Sequence, residues 1–124
     1  MLLVQTTIAK SPIHGFGLFA VSFIEKGTHI WRFTPEFDLE LEPDRLNHLS
    51  EASRQTMLHY GYIDPASRQF ILCSDDYRFV NHSDSPNVRI DKTEDRHGVD
   101  IAARDIQPGE EITVDYNDVE GSRP

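Results

Sequence analysis

Three short segments of this chain gather the residue types that can hold a ligand or position a reacting group. The first is Lys10-Ser11-Pro12-Ile13-His14-Gly15-Phe16-Gly17-Leu18-Phe19-Ala20. Its two glycines let the backbone pass close to a ligand with no Cβ in the way. No helix is expected after it, so it is not the phosphate fingerprint of a dinucleotide site. The second is Arg78-Phe79-Val80-Asn81-His82-Ser83-Asp84-Ser85-Pro86-Asn87. Small polar residues beside an apolar Phe-Val pair suit a buried turn bonded through its own side chains. Taken alone, His82 reads more readily as a hydrogen-bonded structural histidine than as a catalyst. His82 and Ser83 are adjacent and no G-x-S-x-G elbow exists, which argues against a Ser-His-Asp hydrolase. The third is Ile106-Gln107-Pro108-Gly109-Glu110-Glu111-Ile112-Thr113-Val114-Asp115-Tyr116. By itself it is a turn, a strand and a core or rim tyrosine.

Metal chemistry finds little support. Cys73 is the one cysteine, and no two of the six histidines sit in an HExxH frame or at i,i+4 spacing. A thiolate-rich zinc site and an intrachain disulfide are therefore excluded.

The elements that must position these segments read as mostly β. Frequent glycines and prolines cut the chain into short pieces. Leu2–Ile8, Gly17–Val21 and Thr28–Phe33 read as the first three strands, the last two separated by a turn at Glu25-Lys26-Gly27. From Pro35 to Asp44 the sequence alternates. Phe37, Leu39 and Leu41 are set to one side and Glu36, Asp38, Glu40 and Glu42 to the other, which predicts a half-buried strand or edge. Asp44–His59 is the one helical stretch, capped by Asp44, with Leu46, Leu49 and Ala52 on one face, Gly61 after its end and Ser50 as a potential break. Tyr62–Ile63 and Phe70–Cys73 predict a hairpin around Asp64-Pro65-Ala66-Ser67. Val99–Ala103 and Glu111–Val114 predict late strands.

A length of 124 residues fits one domain, and 38% apolar with 27% charged residues is a soluble globular composition. No apolar run approaches the ~18 residues that span a bilayer. Met1-Leu2-Leu3-Val4-Gln5 lacks the basic head and long apolar stretch of a signal peptide, so a cytoplasmic location is expected, with the nucleus equally open in a nucleated cell. Twelve basic against 21 acidic residues give a net charge of 12 − 21 = −9. Such a chain is a poor partner for nucleic acid and a better one for a basic peptide.

Together and in this order, HGFGLFA, RFVNHSDSPN and GEEITVDY resemble the glycine, asparagine–histidine and tyrosine motifs of the SET domain. Ile24-Glu25-Lys26-Gly27-Thr28-His29-Ile30 resembles the early I-x-K-G-x-x-I turn of that family, and Tyr60-Gly61-Tyr62-Ile63-Asp64 is a looser match to its central Y-x-F segment. The resemblance runs from about residue 7 to residue 117, so residues 1–124 are expected to form a single SET-like domain. It implies small curved β-sheets, one short helical insert and a C-terminal pseudoknot, in which the asparagine–histidine segment threads through a loop closed by the tyrosine segment. It implies a protein-lysine N-methyltransferase that takes its methyl group from S-adenosyl-L-methionine. By similarity, Phe16 and Gly17 approach the cofactor, Asn81 binds its amino-acid or ribose portion, and backbone groups of His82 hold the adenine. Tyr116 stands at the methyl-transfer point, and Tyr60 and Tyr62 line the lysine channel. A residue that tunes methylation number often sits nine positions after the motif asparagine. Here it is Ile90, which has no hydroxyl to pin the amine, so di- or trimethyl product is expected.

The chain also departs from the family. Asp84 stands where many relatives carry a zinc-binding cysteine, and the eight residues after Tyr116 hold neither cysteine nor aromatic residue. Neither zinc nor the usual aromatic lid over the cofactor is expected. A partner subunit in a homodimer, the substrate, or Trp31 could close the pocket instead. The expected partner is a lysine-containing, basic protein or peptide, guided by the stripe Glu36, Asp38, Glu40 and Glu42; alternatively, that stripe is a solvated edge. A non-catalytic SET-like binding module is the rival reading.

Overall fold

The computed structural model describes residues 1–120. The last four residues, and the side chains of 119 and 120, lie outside the described residues, and with them part of the segment on which the expectation of a missing lid rests. Strand outweighs helix, 33% against 19%. The strands are β1 (Thr6–Lys10), β2 (Phe16–Ala20), β3 (His29–Arg32), β4 (Leu39–Leu41), β5 (Tyr62–Ile63), β6 (Phe70–Leu72), β7 (Asn81–His82), β8 (Val88–Asp91), β9 (Val99–Ala102) and β10 (Glu111–Val114). The helices are α1 (Glu51–Tyr60) and α2 (Tyr116–Glu120). They build three small sheets, ordered β1-β2-β10-β7, β3-β9-β8 and β4-β6-β5.

In the first sheet β2 and β10 are antiparallel and β10 and β7 parallel, so Thr113 faces Asn81 and Val114 faces His82. This pairing lays the asparagine–histidine segment against the tyrosine segment, the paired residues being 113 − 81 = 32 positions apart in the chain. Asn87, 1% exposed, stitches them. Its Nδ2 donates to the Glu111 carbonyl at 2.8 Å, and its Oδ1 accepts from the Thr113 amide at 2.9 Å. The main core joins the sheets through Leu18, Ile30, Ile71, Val88, Ile106 and Ile112, all at or below 1% exposure.

Several local expectations are corrected. The first strand starts at Thr6 rather than Leu2 and runs on to Lys10; Leu2 makes only an isolated bridge to Trp31. The helical stretch does break at Ser50. Pro43–His48 is a 3₁₀ turn with Asp44 inside it rather than capping it. The Ser50 hydroxyl caps α1 instead, accepting from the Ser53 amide at 3.2 Å. Leu46 is buried, but Leu49 and Ala52 are exposed. Gly61 is extended, and its lack of a Cβ makes room for the Phe70 ring.

The alternating segment is a strand only over β4. Upstream, the chain turns at Glu36 with φ 69°, and this reverses the expected sides: Phe37 is exposed and Asp38 is buried. Asp38 accepts from the amides of Thr34 (2.9 Å) and Ser74 (3.1 Å) and from the Met1 ammonium (2.8 Å). Glu40 lies 3.1 Å from Arg96 and 2.9 Å from His97, and Glu42 accepts from Gln69. Three of the four carboxylates of the presumed guiding stripe thus have internal partners. The sequence reading also passed over β8 and α2. Val88-Arg89-Ile90-Asp91 is a strand too short to announce itself, and α2 begins at Tyr116, where a strand end was expected.

Candidate active site

Two cavities share one group of lining residues. The outer one, about 430 Å³, is walled by Ile13, His14, Gly15, Phe16, Phe79, Asn81 and His82. The inner one, about 70 Å³, is walled by Trp31, Tyr62, Cys73, Tyr77, Ile90, Lys92, His97, Asp100, Val114 and Asp118 among others. His59, Tyr60, Arg78, Val80 and Tyr116 belong to both.

The tyrosine segment reaches this junction because β10 runs between β2 and β7 and hands its end to α2. The Tyr116 hydroxyl donates to the Val80 carbonyl at 2.7 Å, and its backbone amide donates to His82 Nδ1 at 3.1 Å. That second bond makes Nδ1 an acceptor, so the neutral ring carries its proton on Nε2 and donates it to Asp84, 2.9 Å away. Tyr60, at the end of α1, meets the Phe79 ring edge-on at 5.3 Å. Arg78 is held to the Cys73 carbonyl by two bonds of 3.1 and 2.9 Å.

Asn81 is 6% exposed, and its Nδ2 is directed at the glycine segment. It lies 3.0 Å from the His14 carbonyl, 3.1 Å from the Phe16 carbonyl and 3.0 Å from Glu111 Oε2. Glu111 in turn accepts from Ser11 Oγ at 2.8 and 2.9 Å. The two glycines therefore divide the work. Gly15, with φ +46°, shapes the outer cavity wall, whereas Gly17 is not among that cavity's lining residues: a Cβ there would collide with the Glu111 carboxylate. Phe16 is 62% exposed on the cavity rim.

The inner cavity is lined by both aromatic and polar side chains. Tyr62 lines it, and burial pushes its hydroxyl well above the usual phenol range; burial does the same to the Cys73 thiol. Ile90 lines it from β8. Trp31 is 2% exposed and stacks on Tyr77 with centroids 5.5 Å apart, so it forms the inner cavity's wall and is not a lid for the outer one. Asp100 accepts a short hydrogen bond from the Tyr77 hydroxyl. Burial raises its carboxyl to about 7, while the Tyr77 bond pulls it back down. His97 packs on Phe33 at 4.2 Å. It sits at ion-pair distance from Glu40 without hydrogen-bond alignment, so neither ring nitrogen has a hydrogen-bonded partner among the described residues.

Of the residues named from sequence, Phe16, Asn81 and His82 line the outer cavity, Tyr62 and Ile90 the inner, and Tyr60 and Tyr116 both. Sequence reasoning passed over Glu111, His14, His59, Val80, Tyr77 and Asp100. For Asp100 a signal was present: a carboxylate in Val99-Asp100-Ile101-Ala102, a run buried throughout, is out of place unless it serves something.

Comparison with protein families matches residues 15–117 to the SET domain. A histone-lysine N-methyltransferase of Candida albicans, specific for H3 lysine-36, is 32% identical over 91% of this chain. One of Fusarium mangiferae, specific for H3 lysine-9, is 32% identical over 90% of the chain. The chain spans 14% of the length of the first relative and 39% of the second. Among solved structures, a candidate histone methyltransferase of Plasmodium falciparum superposes with a TM-score of 0.58 at 25% identity, covering 93% of this chain and 95% of that one. With the family matched over most of its length and its three motifs assembled around one junction, this chain belongs to the SET domain family.

Proposed function

We propose that this chain transfers a methyl group from S-adenosyl-L-methionine to the side-chain nitrogen of a protein lysine. The observation that carries this reading is the meeting of two cavities at Tyr60, Val80 and Tyr116. In-line transfer needs donor and acceptor on opposite sides of a narrow passage, and alignment supplies much of the rate when the leaving group is already activated.

The outer cavity fits the donor. It has room for a nucleoside and an amino-acid chain, an unobstructed backbone at Gly15, and histidine and phenylalanine rings on which a base can stack. When bound, the donor supplies an electrophilic methyl group, so no protein nucleophile is required. Phe16 and His82 flank it, while Asn81 and Gly17 act one step back. The Asn81 amide and the Glu111 carboxylate that fits against Gly17 fix the loop that Gly15 and Phe16 present. The inner cavity fits the end of an unbranched side chain, with Tyr60, Tyr62 and Ile90 in its wall. The Val80 carbonyl and the Tyr116 hydroxyl, bonded to each other, supply two oxygens whose weak C–H···O contacts can hold a polarised methyl. Threading of the Asn81–Asn87 segment under a loop closed by the tyrosine segment belongs to the same proposal. The β7–β10 parallel pair and the Asn87 bonds support it.

The substrate is a lysine-bearing protein, its identity open, because relatives equally similar to this chain act on different histone lysines. The test is a calorimetric titration with S-adenosyl-L-methionine, followed by methyl transfer to a mixed lysine-peptide library read by mass spectrometry. Micromolar binding with mass gains of 14 Da on lysine is the expected result. Peptide binding with no transfer at any pH would make the chain a SET-like binding module instead.

A further inference from the structure

The inner cavity holds a carboxylate that the motifs do not account for. Asp100 pairs across the sheet with Trp31 on β3 and with Ile90 on β8. Side chains directly opposite one another on neighbouring strands point to the same face. Trp31, Asp100 and Ile90 accordingly form one row, and all three line the cavity that Tyr116 closes. Asp100 is 4% exposed. One carboxylate oxygen, Oδ2, takes the Tyr77 hydroxyl; the other has no hydrogen-bond partner among the described residues. The neighbouring Trp31 Nε1 is buried without a partner among the described residues.

Buried polar atoms left unpaired are rare and costly. If Asp100 served only to satisfy Tyr77, an asparagine would do so without burying a charge. The cavity has room, at about 70 Å³, for the tip of one side chain. Its walls are tyrosines and a tryptophan, which suit a cation, and its floor offers a free anionic acceptor.

We propose that Asp100 receives the substrate lysine in this channel and accepts the proton its ammonium must lose before the nitrogen can attack. The proposal rests on the methyltransferase reading above. The step balances simply. The ammonium, R–NH₃⁺, gives one proton to the Asp100 carboxylate, leaving R–NH₂ and a carboxylic acid. The freed lone pair forms the C–N bond as the methyl–sulfur bond breaks, with that bond's electron pair staying on sulfur. The product leaves as R–NH₂⁺–CH₃, and Asp100 returns its proton to solvent once the channel empties. Free lysine has a pKa of about 10.4, so the channel must remove this proton at neutral pH. A carboxyl held near neutrality by burial suits that exchange better than one at its ordinary value. Lys92 and Arg78 bring positive charge to the same wall, Asp118 brings negative charge, and His59 and His97 add two imidazoles. Tyr62, Tyr77 and Cys73 are held neutral by burial.

The proposal also bears on product number. The missing hydroxyl at Ile90 no longer leaves the amine without an acceptor, because Asp100 supplies one a strand away.

The test is the pH profile of methyl transfer to the lysine-peptide library for wild type, Asp100→Asn and Tyr77→Phe, alongside their affinity for S-adenosyl-L-methionine. For Asp100→Asn we expect unchanged donor affinity and a loss of about 100-fold at pH 7, narrowing above pH 9 as solvent takes over the deprotonation. Tyr77→Phe removes a bond that favours the carboxylate, so its rising limb should move to higher pH. A wild-type profile in both variants overturns the proposal. A second measurement does not need activity: the ¹³C chemical shift of the Asp100 carboxyl, titrated with and without n-butylamine as a lysine side-chain mimic. The amine should move the titration to lower pH, and no movement overturns the proposal whether or not the protein turns over. An inactive wild type whose Asp100 still responds to the amine would instead count against the methyltransferase reading alone.

Discussion

The Tyr116 hydroxyl is bonded to the Val80 carbonyl, so Tyr116→Phe does two things. It takes one oxygen from the methyl-transfer point, and it leaves a partly buried carbonyl without its donor. The first should lower kcat at least ~100-fold, about 2.7 kcal/mol of transition-state stabilisation. The second should cost about 0.5–1.5 kcal/mol of stability, visible as a melting shift of a few degrees. Kinetics and a thermal melt on the same preparation separate the two. A mutant as active as wild type would remove Tyr116 from the chemistry. Asp100 gives a prediction of opposite character. Its folded pKa, about 7, lies above the ordinary carboxyl value of 3.8. The native state therefore holds this proton more tightly than the unfolded chain, and between about pH 4 and pH 7 stability falls as pH rises. Asp100→Asn removes that slope and keeps an oxygen for Tyr77. Its melting temperature should approach or pass that of wild type by pH 8 and fall short of it at pH 4. Parallel melting curves across that range would show that Asp100 does not carry the slope.

At the scale of elements, two asparagines from one turn do different work. Asn87 joins the turn to β10 with three of its own atoms, two from the side chain and its amide, which bonds Thr113 Oγ1 at 3.3 Å. Asn81 joins it to the glycine loop. Asn87→Ala should destabilise the fold by roughly 1–3 kcal/mol, because buried partners are left unpaired. Asn81→Ala should weaken donor binding by a similar amount through loss of loop order. Chemical denaturation and calorimetry would separate these outcomes, and equal effects of both variants on both readouts would contradict the division. This level of organisation was partly legible in the sequence. Of the strands carrying the three motifs, β2 and β10 fall where turn residues bound them, whereas β7 lies inside the segment that reads in sequence as a side-chain-bonded turn. The helix break falls at Ser50 as expected, but the cap expected of Asp44 is supplied there by the Ser50 hydroxyl. The acidic segment was misread because alternation assumes a continuous pleat, and one positive-φ residue, Glu36, turns Asp38 inward. The Trp31–Asp100–Ile90 row was invisible, because cross-strand register is a long-range property and Ile90 lies on a strand of four residues.

At the scale of the whole molecule, the net charge of −9 has to be considered without its supposed stripe. Asp38, Glu40 and Glu42 have internal partners, so that stripe is not a row of free carboxylates. What remains is a diffuse negative field around a channel whose own acceptor is buried. These two features respond differently to salt. A diffuse field acts through solvent over about 30 Å at 10 mM ionic strength and about 8 Å at 150 mM. A buried carboxylate in contact with its ligand is screened far less. A lysine peptide with basic flanks should therefore show a KM that rises several-fold between 10 and 150 mM salt. The same lysine between neutral flanks should show a flat KM. For both peptides kcat should stay constant, since the step it reports takes place where ions do not reach. Measuring both constants for both peptides across that range decides the matter. A neutral-flanked peptide as salt-sensitive as the basic one would mean that the lysine's own charge, not its flanks, is read by the field. A flat response in both would place recognition in short-range contacts around the channel mouth, and the acidic balance would then serve solubility alone.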